Sequence, residues 1–571
     1  MNENRNMILA VVLSALVLIG WSFFAEKFMP PPPPERQAQE ARTAEARPEA
    51  RPQIGPVEQV PAKMRSRAEV LGESRRVAIR TPRLMGSINL TGARLDDLVL
   101  IDERQSKEKG SPPVRLLSPA GAPDSYFASF GWTGEGVQVP GPDAQWTPSA
   151  PVLRPAEPVT LSWSNDGGQT FEIILEVDEN YLFTARQRVV NRGSAPVAIR
   201  PYGLINRATA STDPDYWTVH VGPISFLDEA ANYDIDWDTL EDGRTKRFDS
   251  RGGWLGFTDS YWLTALAPVG NPPITASFTG TPSGGFQADY AAQPGILPTG
   301  QAVTTETRLF AGAKEKALLD RYEELGITNL SKAIDWGWFE WFMRPIFDVL
   351  NWLFKVTGNF GLAIIGLTVM VRLILFPIAQ KQFKSFAAMR KVQPKLKAIK
   401  ERFKDDRQKQ QQEMLKLYKD EKINPAAGCL PILLQIPIFY ALYKVLLVSV
   451  EMRHQPFALW IQDLSAPDPL TPVNLFGLLD FTPPVFLAIG ILPILLGVTM
   501  WAQFKLNPQQ LDPVQQQIFN LMPWVMMVIL APFAAGLVLY WVTSNVLTIA
   551  QQWWLYRRFG LHFSDTHPVK T

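Results

Sequence analysis

Long runs without charge dominate the C-terminal part of this 571-residue chain and restrict what it can fold into. From Val356 to Gln380 only Arg372 is charged, and from Ile423 to Val450 only Lys444. Phe481 to Phe504 carries no charge, and neither do the 44 residues between Asp512 and Arg557. A helix rises 1.5 Å per residue and needs about 20 apolar residues to cross a hydrocarbon core. The last run is therefore long enough for two spans, with Ala531-Pro-Phe-Ala-Ala-Gly536 as the turn between them. These runs predict five membrane-spanning helices: 356–380, 425–450, 482–504, 517–533 and 536–556. A sixth is predicted at the N-terminus, where Met7 to Ala25 is uncharged over 19 positions. Arg5 precedes that run and Trp21, Phe23 and Phe24 sit at its far end, where aromatic rings suit the interface. The bulky end lacks the small-residue pattern of a cleavage site, so residues 1–28 read as an uncleaved signal anchor.

The rest of the chain is polar. Five prolines, Pro30 to Pro34, open an Ala/Glu/Arg/Pro stretch, and residues 29–65 read as an extended, flexible linker that cannot bury a core. Residues 66–330 show short alternating runs with Gly and Pro between them. Thr170 to Val177, the turn residues Asp178-Glu-Asn180, and Tyr181 to Val190 predict a β-hairpin. Val159–Trp163 and Ala302–Phe310 have the same character, so this part is predicted to be a β-sandwich, closed by a near-helical stretch from Lys314 to Leu325. Asp213-Pro-Asp-Tyr-Trp217 has residues that suit a carbohydrate or peptide groove, but turn chemistry and core aromatics explain them more simply. With 56 Lys+Arg against 55 Asp+Glu, net charge points to no partner. Cys429 is the single cysteine, and His220, His454, His562 and His567 are scattered. No disulfide framework, metal site or cofactor is expected. Walker loops, nucleophile elbows and H-E-x-x-H are absent from the sequence, so no catalytic residue is assigned and the chain does not read as an enzyme.

Between Trp336 and Lys355 the polar residues Glu340, Arg344, Asp348, Asn351 and Lys355 recur every three or four positions, so they share one stripe of a helix. Trp338, Phe339, Trp341, Phe342, Phe347, Trp352 and Phe354 cover the remainder, and residues 335–355 are predicted to lie on the membrane surface. Basic residues in short loops set orientation. Residues 380–424 hold 14 Lys+Arg against 6 Asp+Glu, whereas 451–480 hold Arg453 against Glu451, Asp463, Asp468 and Asp480. The segment 381–424 is therefore expected in the cytoplasm and 451–481 in the periplasm. Six spans then place both termini, the 505–516 loop and the 557–571 tail in the cytoplasm, and the β-sandwich in the periplasm of a bacterial inner membrane.

Arg372 is the one arginine within a span, and no Asp, Glu or His lies within the spans to neutralise it. A charge at such depth faces water or protein, although Arg372 is also near enough to the cytoplasmic edge to snorkel. Thr368 lies one turn before it. Gln435, Thr499, Asn520, Tyr540, Ser544 and Gln551 add polar groups on other spans, and Tyr540, Ser544 and Gln551 share a helical face. Two readings follow, a wet cationic cavity or polar glue between helices. The cavity is favoured because an arginine without a counter-ion needs water. In 381–424 we expect two helices, Lys381–Phe403 with Pro394 near its middle and Arg407–Lys422 with its N-cap at Asp405-Asp406. Lys381, Lys384, Arg390, Lys391, Lys395, Lys397, Lys400 and Arg402 make the first one basic. That charge suits ribosomal RNA or anionic lipid, and equally an ordinary cytoplasmic loop.

Several segments form recognisable motifs: Thr368-Val-Met-Val-Arg372 with Pro377, Met389-Arg-Lys-Val-Gln-Pro394, and Asn424-Pro-Ala-Ala-Gly-Cys429 with Pro431, Gln435 and Pro437. Further along come Pro456-Phe-Ala-Leu-Trp-Ile-Gln-Asp-Leu-Ser465, Gly497-Val-Thr-Met500 and Gly536-Leu-Val-Leu-Tyr-Trp-Val-Thr-Ser-Asn545. With these motifs the chain resembles the YidC-type membrane protein insertases of the Oxa/Alb superfamily. The resemblance is dense over 335–560, and the anchor and β domain match the Gram-negative architecture. It implies a five-helix core with a groove open to cytoplasm and lipid, Arg372 as the groove arginine, and Thr368, Tyr540 and Trp541 at groove positions. It also implies a periplasmic supersandwich largely dispensable for insertion. The expected partners are nascent membrane proteins, the Sec translocon, the translating ribosome and the phospholipid bilayer, with no nucleotide hydrolysis. Two other classes fit less well. An anion transporter or channel would use Arg372 as its binding site, but internal repeats are lacking. An envelope scaffold would depend on the β domain.

Overall fold

The computed structural model of the chain describes residues 65–558 except 109, 214–217, 282–283, 338, 405, 422–429, 477, 480–487 and 507–512. At 384–391, 393, 407, 430–433, 513–515 and 518 it describes the backbone alone. The predicted signal anchor, the linker up to 64, the aromatic turn 214–217, Cys429 with its Asn424-Pro-Ala-Ala-Gly motif, and the tail beyond 558 lie outside the described residues. All described residues fall in the second of the chain's two units, 54–571.

The hairpin read from alternation is present. Strands Gln169–Val177 and Leu182–Asn191 pair antiparallel, with Phe183 opposite Val177 and Asn191 opposite Gln169. Inward positions of the first strand are buried at every second residue, as a half-buried strand requires. Its turn is set by Asp178, whose Oδ1 accepts from the Asn180 and Leu182 amides at 2.9 and 3.0 Å. On the outward face Arg186 pairs with Glu176 and, at 2.8 Å, with Glu306 on strand Ala302–Ala313, while Arg188 pairs with Glu172 at 2.9 Å. These opposite charges on neighbouring strands reinforce the register.

The hairpin belongs to a nine-stranded antiparallel sheet that faces an eleven-stranded one, counting the described residues. The second sheet contains one parallel pairing, Arg76–Arg80 with Val152–Leu153. Trp132 of one sheet meets Phe171 of the other edge-on, 5.2 Å apart, in a core continuous with Leu98, Phe257, Phe278 and Phe310. Two short helices, α1 (Arg67–Gly72) and α2 (Trp237–Leu240), flank the sheets. Helix α3 (Lys316–Glu324) closes the sandwich: its Tyr322 hydroxyl donates to Asp178 at 2.6 Å and accepts from the Tyr181 amide at 3.3 Å.

Helical structure follows. Helix α4 (Glu340–Thr357) starts later than the sequence pattern predicts, because Gly337 stands at φ 68° and Trp336 is buried ahead of the first turn. Three residues of its polar stripe bond to the β domain, while Asp348 stays more than half exposed and Lys355 is exposed. Glu340 pairs with Lys332, Arg344 donates to Ser331 Oγ at 2.6 Å, and Asp348 pairs with Lys316 at 3.1 Å. Met343, Phe347 and Leu350 are buried, while Trp341 and Trp352 are exposed.

Next come α5 (Phe360–Ile374) and α6 (Phe376–Arg402). The sequence pattern predicts one span to 380 and a separate helix from Lys381. In the structure the break falls earlier, with a 58° bend between the two helices at Leu375. Pro377 explains it, having no amide to bond the carbonyl four residues back and disfavouring helical backbone just before itself. Helix α7 (Arg407–Asp420) follows, capped by Asp406 as expected, its Oδ1 accepting from Lys409 N at 3.0 Å. Val392 and Leu396 of α6 pack against Met414, Leu417 and Tyr418 of α7, and Lys395 pairs with Glu421 at 2.6 Å.

The remaining helices are α8 (Leu430–Val448), α9 (Ile491–Leu506), α10 (Pro513–Leu530) and α11 (Ala535–Arg558). α9 packs on α10 and α11, α5 on α4 and α11, and α8 on α4 and α11. Gly536 sits at one crossing, where an added Cβ would lie 3.1 Å from Ile364, Leu446 and the Leu464 carbonyl. No single helix among the described residues is long and apolar enough to cross a membrane, and the bent pair α5–α6 passes that test only jointly.

Candidate functional site

Arg372 lies in the last turn of α5 and is half-buried. Its guanidinium donates to Ser544 Oγ on α11, and among the described residues no carboxylate lies within ion-pair distance of it. One turn earlier on α11, the Tyr540 hydroxyl accepts from Gln435 Nε2 of α8. Thus Arg372, Ser544, Tyr540 and Gln435, read separately from the sequence, meet across three helices. Because Tyr540 and Ser544 are four residues apart, one face of α11 serves both partners.

The other expected residues are placed differently. Thr368 is buried, and its hydroxyl bonds back to the Ile364 carbonyl of its own helix at 2.7 Å. Thr499 Oγ1 donates to the Leu495 carbonyl at 2.8 Å and accepts from Asn545 Nδ2 at 3.2 Å. Trp541 stacks edge-on against Phe439 of α8, 4.9 Å between centroids. Gln551 is half-buried, with Nε2 lacking a hydrogen-bond partner among the described residues. Asn520 is exposed on α10. Along the basic segment Lys381, Lys395, Lys397 and Arg402 are exposed and Lys400 is half-buried. The side chains of Lys384, Arg390 and Lys391 lie outside the described residues.

Two groups escaped sequence reasoning. Asn545 is buried and ties α11 to α9 through Thr499; its signal was an amide one residue past Ser544 in an uncharged run. Lys444, near the end of α8, is fully buried, pairs with Asp335 at 3.0 Å and donates to the Thr218 carbonyl. It therefore fastens the helical part to two segments of the β domain. A lone lysine at the end of an apolar run signals a missing carboxylate, but nothing in sequence spacing points to Asp335. Nearby, Lys107 pairs with Asp463 at 3.0 Å, and burial pulls its ammonium down to about 8. Burial likewise raises Glu451, although it accepts from Ser449 Oγ at 2.9 Å and the Lys316 amide at 3.1 Å.

A sandwich docked by buried ion pairs onto short apolar helices, with one arginine facing hydroxyls inside them, is the organisation of a membrane protein that carries a large polar domain. Residues 76–349 match the family described as YidC periplasmic domain, and 352–561 match 60Kd inner membrane protein. The membrane protein insertase YidC of Zymomonas mobilis is 46% identical over 98% of this chain and 96% of its own length. That of Rhizobium meliloti is 44% identical over 98% and 97%. A crystal structure of an active YidC insertase overlaps 84% of this chain and 92% of its own at 19% identity, with a TM-score of 0.36; that overlap is too loose to carry an argument. The chain belongs to the YidC family of membrane protein insertases. Its function is accordingly insertion, not enzymatic catalysis, with the helical part in the inner membrane and the β-sandwich in the periplasm.

Proposed function

We propose that the chain crosses the inner membrane six times with both termini in the cytoplasm, and inserts nascent membrane proteins through a hydrophilic groove around Arg372. The observation that carries the reading is the Arg372–Ser544 contact. A guanidinium at the end of an apolar helix has a hydroxyl as its neighbour and no carboxylate in reach among the described residues. Such a charge keeps its attraction for an incoming anion and is tolerable only beside water. Gln435, Tyr540, Thr499, Asn545 and Gln551 supply further hydrogen-bonding groups to the same bundle, and we assign Thr368, Asn520 and Trp541 to the groove with them.

A short hydrophilic segment of a nascent chain enters this groove, which lowers its desolvation cost relative to bare lipid. Arg372 attracts acidic residues in that segment. The apolar helix behind it then slides into lipid, where burial releases about 25 cal/mol per Å², so no nucleotide is needed. Helix length supports a shortened crossing. α5 and α9 have 15 and 16 residues, about 22–24 Å at 1.5 Å each, against a core of about 30 Å. Local thinning closes that gap. The basic arm formed by α6 and α7 engages the translating ribosome and anionic lipid, and the chain works alone or beside the Sec translocon.

The test is reconstitution in liposomes without nucleotide or translocon, with a small membrane protein carrying a short acidic translocated tail. Protease protection of that tail well above empty liposomes, lowered by Arg372→Ala and kept by Arg372→Lys, is the expected result. Protection that is indifferent to Arg372→Ala with every substrate removes the charge from the mechanism. Anion flux without protection supports a transporter instead.

A further inference from the structure

The connection between α8 and α9 has inverted polarity. Within the segment that follows Gln455, Asp463, Asp468, Thr471 and Asn474 are all buried, Ser465 is half-buried and Gln462 is exposed. Asp468 accepts from the Leu492 amide at 2.7 Å and from Trp460 Nε1 at 3.0 Å, and Thr471 donates to Asn474 at 2.9 Å. Ile461 and Leu464 are buried, but several other large apolar side chains point out. Leu459 is 82% and Leu478 83% exposed, and Leu475, Phe476 and Leu479 are about half exposed. Leu459, Leu475 and Phe476 adopt left-handed backbone at φ 55°, 49° and 58°, a conformation that bulky residues rarely take. The strain is a cost in any solvent, but in water the apolar exposure opposes this arrangement as well.

The loop's position supplies the missing partner. Its backbone is pinned to the first turns of three helices. Leu464 and Ala466 carbonyls accept from Gly536 and Ala535 at the start of α11, at 2.9 and 2.7 Å. The Leu470 carbonyl accepts from Ile491 at the start of α9, at 3.2 Å. The Phe457 carbonyl accepts from Asn359, the N-cap of α5, at 2.8 Å. The loop is therefore held at the N-terminal ends of these helices, and Leu495 and Val498 in the first turns of α9 are exposed as well.

We propose that the described residues of 456–476 and 478–479 form a wedge at the headgroup–acyl boundary of one leaflet, its exposed apolar side chains contacting phospholipid while Asp463 stays tied to Lys107 of the β domain. Exposed apolar area of this kind, anchored at the ends of apolar helices, marks a membrane contact. That this is the periplasmic leaflet rests on the orientation proposed above; the lipid contact does not.

The test places a nitroxide spin label at Leu478→Cys, with Cys429→Ser removing the native thiol, and a control at Glu179→Cys in the exposed turn of the hairpin. In proteoliposomes of phosphatidylethanolamine and phosphatidylglycerol, collision with oxygen and with a water-soluble nickel chelate is measured. Hydrocarbon excludes polar solutes, so nickel contact at 478 should be roughly fivefold below that at 179, with oxygen contact higher. Leu459→Cys should behave like Leu478→Cys, which guards against failure of one variant. Nickel contact equal to the control puts the loop in water and overturns the proposal. Low contact with both reagents shows a covering protein, a second copy or a partner's helix, and overturns it as well. Insertion is assayed on the same vesicles: an oxygen-favoured label without insertion refutes the proposed function and leaves the wedge standing. A control label that reacts with impermeant reagent only from the cytoplasmic side assigns the wedge to the other leaflet.

Discussion

Removing Asp335 should loosen the β domain from the helices far more than removing its partner. Lys444 is fully buried, and its ammonium has two acceptors, the Asp335 carboxylate at 3.0 Å and the Thr218 carbonyl. Asp335→Ala strands that charge beside a single carbonyl. Deleting one member of a buried pair costs about 3–5 kcal/mol. The Asp335 side chain is 21% exposed, so solvent screening brings the expectation to about 3 kcal/mol. Lys444→Met removes the charge and keeps the apolar stem, and costs about 1 kcal/mol or less because the carboxylate it leaves behind is 21% exposed and can be hydrated. The double variant should then resemble Lys444→Met alone. The assay is native-state trypsin cleavage at Lys332, which is held in the junction by Glu340 and becomes cleavable only when it opens. A loss of 3 kcal/mol raises the open population roughly 150-fold, and cleavage follows that population when reclosing is fast. An increase below about threefold for Asp335→Ala, or additive effects in the double variant, would refute the view that this pair clamps the two parts.

Other sites give sharper or simpler readings. Gly361→Ala places a Cβ 1.9 Å from the Phe457 ring, so thermal stability should fall by about 1–3 kcal/mol and Phe457→Ala should restore part of it. Asn545→Ala leaves Thr499 without its donor inside the bundle; a loss of about 1 kcal/mol is expected, measured as a lower Tm in detergent. Asp289 is buried on strand Phe286–Ala292, and burial pushes its carboxyl up to about 6 despite bonds from Ser277 and Gln287. A carboxyl raised in the folded state stabilises most below its unfolded value near 4 and loses that contribution as pH rises through 6. Wild type minus Asp289→Asn, followed through the urea midpoint of the sandwich in the full chain, should fall by about 3 kcal/mol between pH 4 and 7; a flat difference contradicts the assignment.

What the sequence makes legible follows the range of the interactions involved. Alternation from Thr170 to Val190 is a local property, and the hairpin has the expected strands and turn. The cap at Asp406 is likewise decided within three residues. The polar stripe from Glu340 to Lys355 is legible as a stripe, but its partners Lys316, Ser331 and Lys332 belong to other elements, so which side faces water is not. Arg372 and Ser544 stand out individually as polar groups in apolar runs, yet their contact spans 172 positions. Asp335 and Lys444, 109 positions apart, meet only once the domain is docked. Thr368 marks the opposite case, a position read for its hydroxyl whose hydroxyl is satisfied by its own helix.

The bend at Leu375 has a mechanical meaning. Phe383 is buried with Leu555 and Tyr556 of α11, its ring 4.8 Å from that of Tyr556, so the base of α6 is clamped. Beyond that clamp, 19 of its 27 residues reach about 28 Å outward. A swing of about 5° moves the tip by roughly 2.5 Å at that length. Two joints, the Phe383 clamp and the broken helix at Leu375, stand between such a swing and the Arg372–Ser544 contact. The arm is a lever on a hinged mount, so a displacement of its tip reaches the Arg372–Ser544 contact only through both joints.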